Sequence, residues 1–167
     1  SLTGINTMES VVCPGRGSGF VGVGLALYAS WLAARAVFDE ADRVLGYSVS
    51  KPCFEGPEEK LNDTEYAQRA ILTVRVAYLE ALRERLRERG EVLEPAFVAG
   101  HSLGEYTALV AAGSVSFADG LGLVAERGRL MKEDGERTPG GMAAVIGLSD
   151  GRIVKGLVEA ESEGGVV

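Results

Sequence analysis

"PAFVAGHSLGEYTALVAAG", residues 95–113, sets a serine at the centre of a Gly-X-Ser-X-Gly frame, between a short apolar run and a helix-forming stretch. "AFVAG", residues 96–100, reads as a buried strand, and Leu103 to about Ala112 as a helix of small and apolar residues. A strand that turns at once into a helix needs glycines close to the bend, and Gly100 and Gly104 stand two positions either side of Ser102. Such a turn exposes the serine hydroxyl at a helix N-terminus, where the N–H of Leu103 can help hold an oxyanion. The stretch therefore predicts an α/β fold carrying a nucleophile elbow.

A serine hydroxyl is a weak nucleophile without a base. The chain has a single histidine, His101, directly beside Ser102. Neighbouring residues in a tight turn project in different directions, so His101 is expected to support the turn or line the pocket, not to take the proton.

Upstream, "SVVC", residues 10–13, reads as another buried strand, stopped by Pro14 and a glycine cluster. Leu25, Tyr28, Ala29, Leu32 and Ala36 recur at helical spacing and predict one amphipathic helix to about residue 43, with Asp39, Asp42 and Arg43 on its polar face. "KPCFEGPEEK", residues 51–60, predicts a loop. Asn62 with Glu65 predicts the capped start of a long helix that ends at Gly90 and turns Ala67, Ile71, Val74, Tyr78, Ala81 and Leu86 to one face. Its tail, "RERLRER", predicts a solvated surface.

Downstream, Ser116 and Asp119 predict the start of a helix to about Glu133, within which Gly120 and Gly122 each cost about 1 kcal/mol relative to alanine. "MAAVIGL", residues 142–148, reads as a third strand and "RIVKGLVEAES" as a final helix. Strands alternating with helices predict parallel pairing.

Composition narrows the function. Hydrophobic residues make up 46% and charged residues 25% of 167, as expected of a globular domain. A net charge of −7 argues against a nucleic-acid partner, which needs a clustered basic surface. Cys13 and Cys53 form no C-x-x-C or Cys/His cluster, so the expectation is two reduced thiols in a cytoplasmic protein with no metal. "SLTGINTMES" has neither the basic nor the apolar region of a signal peptide, and Met8 is a candidate natural start. Residues 19–34 are uncharged, but they are glycine-rich at one end and run into Arg35 and "FDEADR", so no membrane span is expected. In "PGRGSGFVGVG", residues 14–24, Gly17, Gly19 and Gly22 satisfy G-x-G-x-x-G. The acidic residue that a dinucleotide fold needs about twenty positions on falls at Asp39 and Glu40, inside a helix. The preferred reading is a turn that brings backbone N–H groups near a pocket, without a cofactor.

"CPGRGSGFVGVG", "FEGPEEKLNDTEYAQRAIL", "AGHSLGEYTALVAAGSVSFADGLGLVAERGRLM" and "GGMAAVIGL" occur in the order seen in malonyl-CoA:acyl carrier protein transacylases, and from Met8 to Val167 the chain resembles the N-terminal half of that family. The resemblance implies a hydrolase-like parallel sheet with helices on both faces, over residues 8–137, and the beginning of a ferredoxin-like small subdomain over residues 138–167. It implies that Ser102 takes a malonyl group as an ester and that Arg127 pairs with the malonyl carboxylate; His101, read above as lining the pocket, is then expected among the substrate-binding residues. It also implies that the backbone N–H groups of Leu103 and Arg16 form the oxyanion hole. Malonyl-CoA and the phosphopantetheine arm of acyl carrier protein are then the partners, in fatty acid biosynthesis, and the base is expected beyond Val167. The chain departs from the family pattern at Arg16 and Gly19, where glutamine is usual, at Arg69, where proline is usual, and at Gly120 and Gly122. The alternatives are a polyketide synthase acyltransferase domain, a hydrolase using the same elbow, and a non-catalytic module that binds CoA or carrier protein.

Overall fold

The structure, a computed structural model, describes residues 10–13, 21–138, 140, 147 and 150–162. By its internal contacts the chain divides into two compact units, Ser1–Glu136 and Arg137–Val167. In the first unit β1 (Ser10–Cys13) leads to helices α1 (Leu25–Ser30), α2 (Leu32–Leu45), α3 (Ser50–Glu55), α4 (Glu58–Asn62) and α5 (Thr64–Glu88). Then come β2 (Phe97–Gly100), α6 (Leu103–Ala111) and α7 (Phe117–Arg137). In the second unit the described element is α8 (Asp150–Ser162), which leaves Val154, Leu157 and Val158 exposed. The expected third strand, residues 142–148, lies almost wholly outside the described residues.

β1 and β2 pair in parallel, with Ser10 opposite Phe97 and Cys13 opposite Gly100. The α/β class with parallel pairing holds, but the described architecture is mainly helical with a two-stranded sheet, and the expected helices on both of its faces are not seen among the described residues. The strands are not buried as their apolar runs suggest: Val12 is 72% and Phe97 64% exposed. Apolar composition marks a strand face for burial, while burial itself needs a covering layer, and no described element covers this face.

The core lies where α5 runs between its neighbours. Leu72 and Ala77 of α5, Phe38 and Ala41 of α2, Leu103 of α6, and Leu121 and Val124 of α7 are fully buried. Helix α5 is therefore buried around much of its girth, with Gln68, Ala70, Leu72, Thr73, Val76 and Leu79 inside as well as Ala67, Ile71, Val74 and Ala81; Tyr78, assigned to the buried face, is exposed.

Three further expectations, on helix boundaries, are corrected. The single helix over residues 25–43 is two helices, broken at Trp31 in extended conformation (φ −125°, ψ 119°). The break resets the helical phase, so Ala34, Val37, Phe38 and Ala41 are buried while Leu25, Ala29, Leu32 and Ala36 are exposed. Glu84 of α5 caps the restart by accepting the Ala33 N–H at 2.8 Å. The loop expected over residues 51–60 holds helices α3 and α4, because Pro52 occupies a first-turn position that needs no N–H. Asp42 Oδ1 accepts the N–H groups of Val49 and Ser50, at 2.7 and 3.0 Å, and so anchors the start of α3. The cap of α5 is Asp63, whose Oδ1 accepts the Tyr66 N–H at 2.9 Å, in place of Asn62.

The Ser116–Asp119 start of α7 is as expected, with the Asp119 N–H donating to Ser116 Oγ at 3.1 Å. The helix runs on to Arg137, past Glu133. Gly120 has a packing reason, since a Cβ there would lie 3.0 Å from Val110 Cγ2 and 3.6 Å from Leu72 Cδ2. Nothing in the structure explains Gly122.

Candidate active site

The turn from β2 into α6 is set by backbone approach. A Cβ on Gly100 would lie 2.1 Å from the Gly104 carbonyl carbon and oxygen and 2.3 Å from the Glu105 nitrogen, so the position admits glycine alone. The His101 N–H donates to Cys13 O at 3.0 Å, which carries the parallel ladder into the turn. His101 O accepts the Gly104 N–H at 2.9 Å, and Ser102 O accepts the Glu105 N–H at 3.1 Å, closing the first turn of α6.

Ser102 sits at the bend with φ 53° and ψ −116°. Among the described residues it is the only non-glycine with positive φ. A side chain held there costs of order 1–3 kcal/mol, a strain that collects at functional sites. The geometry leaves Ser102 exposed at the N-terminus of α6. Leu103, the first helical residue, buries its side chain completely, and the helix itself makes no use of its N–H.

Arg127 reaches the serine from the middle of α7. Its Nη2 donates to Ser102 Oγ at 2.8 Å and its Nη1 donates to Gln68 Oε1 at 2.6 Å. Gln68, on α5, is fully buried, and its Nε2 donates weakly to Met131 Sδ at 3.4 Å. The guanidinium is thus held between a buried amide and the exposed hydroxyl. Two residues away, Arg129 pairs with the carboxylates of Glu126 and Glu133 along the surface of the same helix. Arg127 has neutral partners among the described residues, in a chain whose net charge is −7. A guanidinium so placed can bind both oxygens of an incoming carboxylate.

The structure therefore brings together Ser102, Leu103 and Arg127, which the sequence singles out, and adds Gln68, which it does not. A lone amide on the buried side of "YAQRAIL" is the signal that could have found it, because a buried polar side chain needs a partner. His101 exposes its imidazole, which makes no hydrogen bond among the described residues; its main chain is what supports the turn. Arg16, Gly17 and Gly19 lie outside the described residues. Gly22, the last glycine of that G-x-G-x-x-G pattern, donates its N–H to Cys53 O at 2.8 Å, so that N–H is already engaged. Arg69, a departure from the family pattern, donates to the Tyr47 hydroxyl at 2.7 Å and lies over its ring.

Both cysteines are free and buried. Burial raises the Cys13 thiol, with Arg75 opposing the shift. Burial, helped by Asp42, pushes Cys53 up to about 12. Neither thiol is activated as a nucleophile. Among the described residues no group of His, Cys, Asp and Glu is placed to hold a metal ion, and no helix is long and apolar enough to cross a membrane.

Residues 11–155 match the acyl transferase domain family. The chain is 44% identical over 152 residues to the malonyl CoA-acyl carrier protein transacylase of Bacillus subtilis (strain 168), a match covering 91% of this chain and 46% of that protein. It resembles the crystal structure of an acyl-carrier-protein S-malonyltransferase from Burkholderia pseudomallei 1710b with a TM-score of 0.82 and 39% identity, over 93% of this chain and 49% of that one. It also resembles a malonyl-transacylase solved in complex with its type II PKS acyl-carrier protein, with a TM-score of 0.80 and 36% identity over 96% and 50% of the two chains. The chain spans about half the length of these relatives. On the match over most of its length, the chain belongs to the acyl transferase domain family, that of the malonyl CoA-acyl carrier protein transacylases.

Proposed function

We propose that this chain carries the nucleophile and the carboxylate clamp of a malonyl transfer from malonyl-CoA to the phosphopantetheine thiol of acyl carrier protein. Ser102 Oγ attacks the thioester carbonyl and gives its proton to a base. The carbonyl oxygen becomes an oxyanion held by the Leu103 N–H, with the Arg16 N–H as second donor. The C–S bond then breaks, CoA leaves as the thiol, and malonyl remains as an ester on Ser102. The carrier thiol attacks that ester in turn and restores the Ser102 hydroxyl. On this reading the base comes from outside these 167 residues, since His101 is the only histidine and its imidazole makes no hydrogen bond to Ser102 among the described residues. On this reading residues 8–137 belong to the large hydrolase-like subdomain, and residues 138–167 begin a ferredoxin-like one.

The observation that carries the proposal is the 2.8 Å contact between Arg127 Nη2 and Ser102 Oγ. In a malonyl thioester one methylene separates the carboxylate from the reacting carbonyl. A carboxylate held by Arg127 therefore leaves that carbonyl beside Oγ, in the arrangement that proximity requires. An acetyl thioester leaves the guanidinium without its partner. Kinship with a transacylase solved with a type II PKS carrier makes a polyketide carrier the second reading, with the same chemistry.

With malonyl-CoA and acetyl-CoA in competition, Arg127→Ala is expected to lower the malonyl preference of Ser102 acylation by about 10- to 100-fold, the worth of a charge-assisted hydrogen bond. Intact mass after mixed incubation, in a preparation that supplies the base, reads the ratio. An unchanged ratio would count against the assignment.

A further inference from the structure

Gln68 stands apart from the other buried polar groups near the site. It is fully enclosed, yet its acceptor oxygen takes a hydrogen bond from the guanidinium that, among the described residues, reaches the nucleophile. The two ends of the amide face different partners. Oε1 takes the strong donor Arg127 Nη1, and Nε2 is left with the weak acceptor Met131 Sδ. This fixes which way the amide lies, and with it the plane of the guanidinium.

We infer that Gln68 is a positioning residue that sets acyl preference: its neutral amide holds Arg127 in place without neutralising it, leaving the charge for the carboxylate of the acyl group. The inference rests on the transfer reading above and deepens it. Position and charge are separable requirements. A glutamate at 68 has the same shape and accepts the same hydrogen bond, but it makes a buried ion pair that satisfies the guanidinium internally. Arg129 displays that satisfied state on the same helix, paired with Glu126 and Glu133. A methionine at 68 keeps the volume and removes the acceptor, so Arg127 keeps its charge and loses its aim. Gln68 acts on the substrate only through Arg127.

The test compares binding of malonyl-CoA and acetyl-CoA to the chain by calorimetry in a Ser102→Ala background, where no acylation intrudes. With Gln68 intact, malonyl-CoA is expected to bind tenfold or more tightly than acetyl-CoA. Gln68→Glu is expected to bring the two within about twofold by weakening malonyl-CoA alone, and Gln68→Met to leave an intermediate preference. Circular dichroism confirms that each variant folds, and Gln68→Met carries the test if Gln68→Glu does not fold. A malonyl preference that survives Gln68→Glu, or equal losses in both variants, would overturn the inference, as would no preference with Gln68 intact. Failure of the transfer reading looks different: the preference and its loss persist, while the Ser102 chain never acquires an acyl group.

Discussion

The turn at residues 100–104 and the sheet face beside it are built on opposite terms. At the turn the close approach is glycine-specific, the strained residue is the reactive one, and its hydroxyl and the arginine beyond it have partners. The face of β1 instead opens onto an apolar groove of about 580 Å³, lined among others by Val11, Val12, Val74, Tyr78, Leu82 and Thr107. Tyr78 is 53% exposed, and the buried Thr107 Oγ1 has no partner among the described residues. A reactive constellation needs only a bend and two helices that cross it, whereas covering a sheet needs a whole layer. The elbow is locally determined; the sheet is not.

The largest expected effect breaks the determined side of that contrast. Gly100→Ala forces a Cβ into the Gly104 backbone and is expected to cost about 3 kcal/mol or more in chemical denaturation. A loss under about 1 kcal/mol would mean that the turn is far softer than its contacts imply.

Ser102 sharpens the contrast in the other direction. Ser102→Gly relieves the positive φ and is expected to raise stability by about 1–2 kcal/mol while abolishing acylation. Ser102→Ala keeps the strain and is expected to gain nothing, so the difference between the two variants in thermal unfolding measures the strain itself. Equal stabilities would remove strain from the account of the elbow.

The smallest expected effect probes Cys53, buried where α3 meets the core. Burial pushes its thiol from the ordinary value of 9.0 up to about 12, so the folded chain keeps a proton that the unfolded chain releases. This contribution to stability is whole below about pH 9 and falls as pH rises toward 12, by roughly 1 kcal/mol by about pH 10. Burial of the Tyr66 hydroxyl adds a loss of the same sign. Cys53→Ala is expected to flatten part of the decline in denaturant midpoints measured from pH 8 to 10; an unchanged slope would place its source elsewhere.

How far the molecule was legible follows the same division. Gly100, Ser102 and Gly104 could be read because the bend is a matter of local backbone sterics. Asp63 displaced Asn62 as a cap because two adjacent residues of similar chemistry compete and sequence does not rank them. The helix at Ser50–Glu55 was hidden because its anchor, Asp42, comes from another helix and meets it only in the fold. The break at Trp31 was hidden because the apolar spacing runs on across it, and the exposure of Val12 because an apolar run does not say what covers it. Gln68 was missed for the same reason in reverse: its partner, Arg127, lies on a helix far along the chain.

The measurement that tests the central claim most directly is acyl loading of the 167-residue chain by malonyl-CoA, with imidazole in the buffer as a substitute base and Ser102→Ala alongside. Intact mass and peptide mapping read the result. The account predicts a malonyl ester on Ser102 that is absent from the variant. A folded chain that gains no malonyl group, or gains one at another residue, would contradict it.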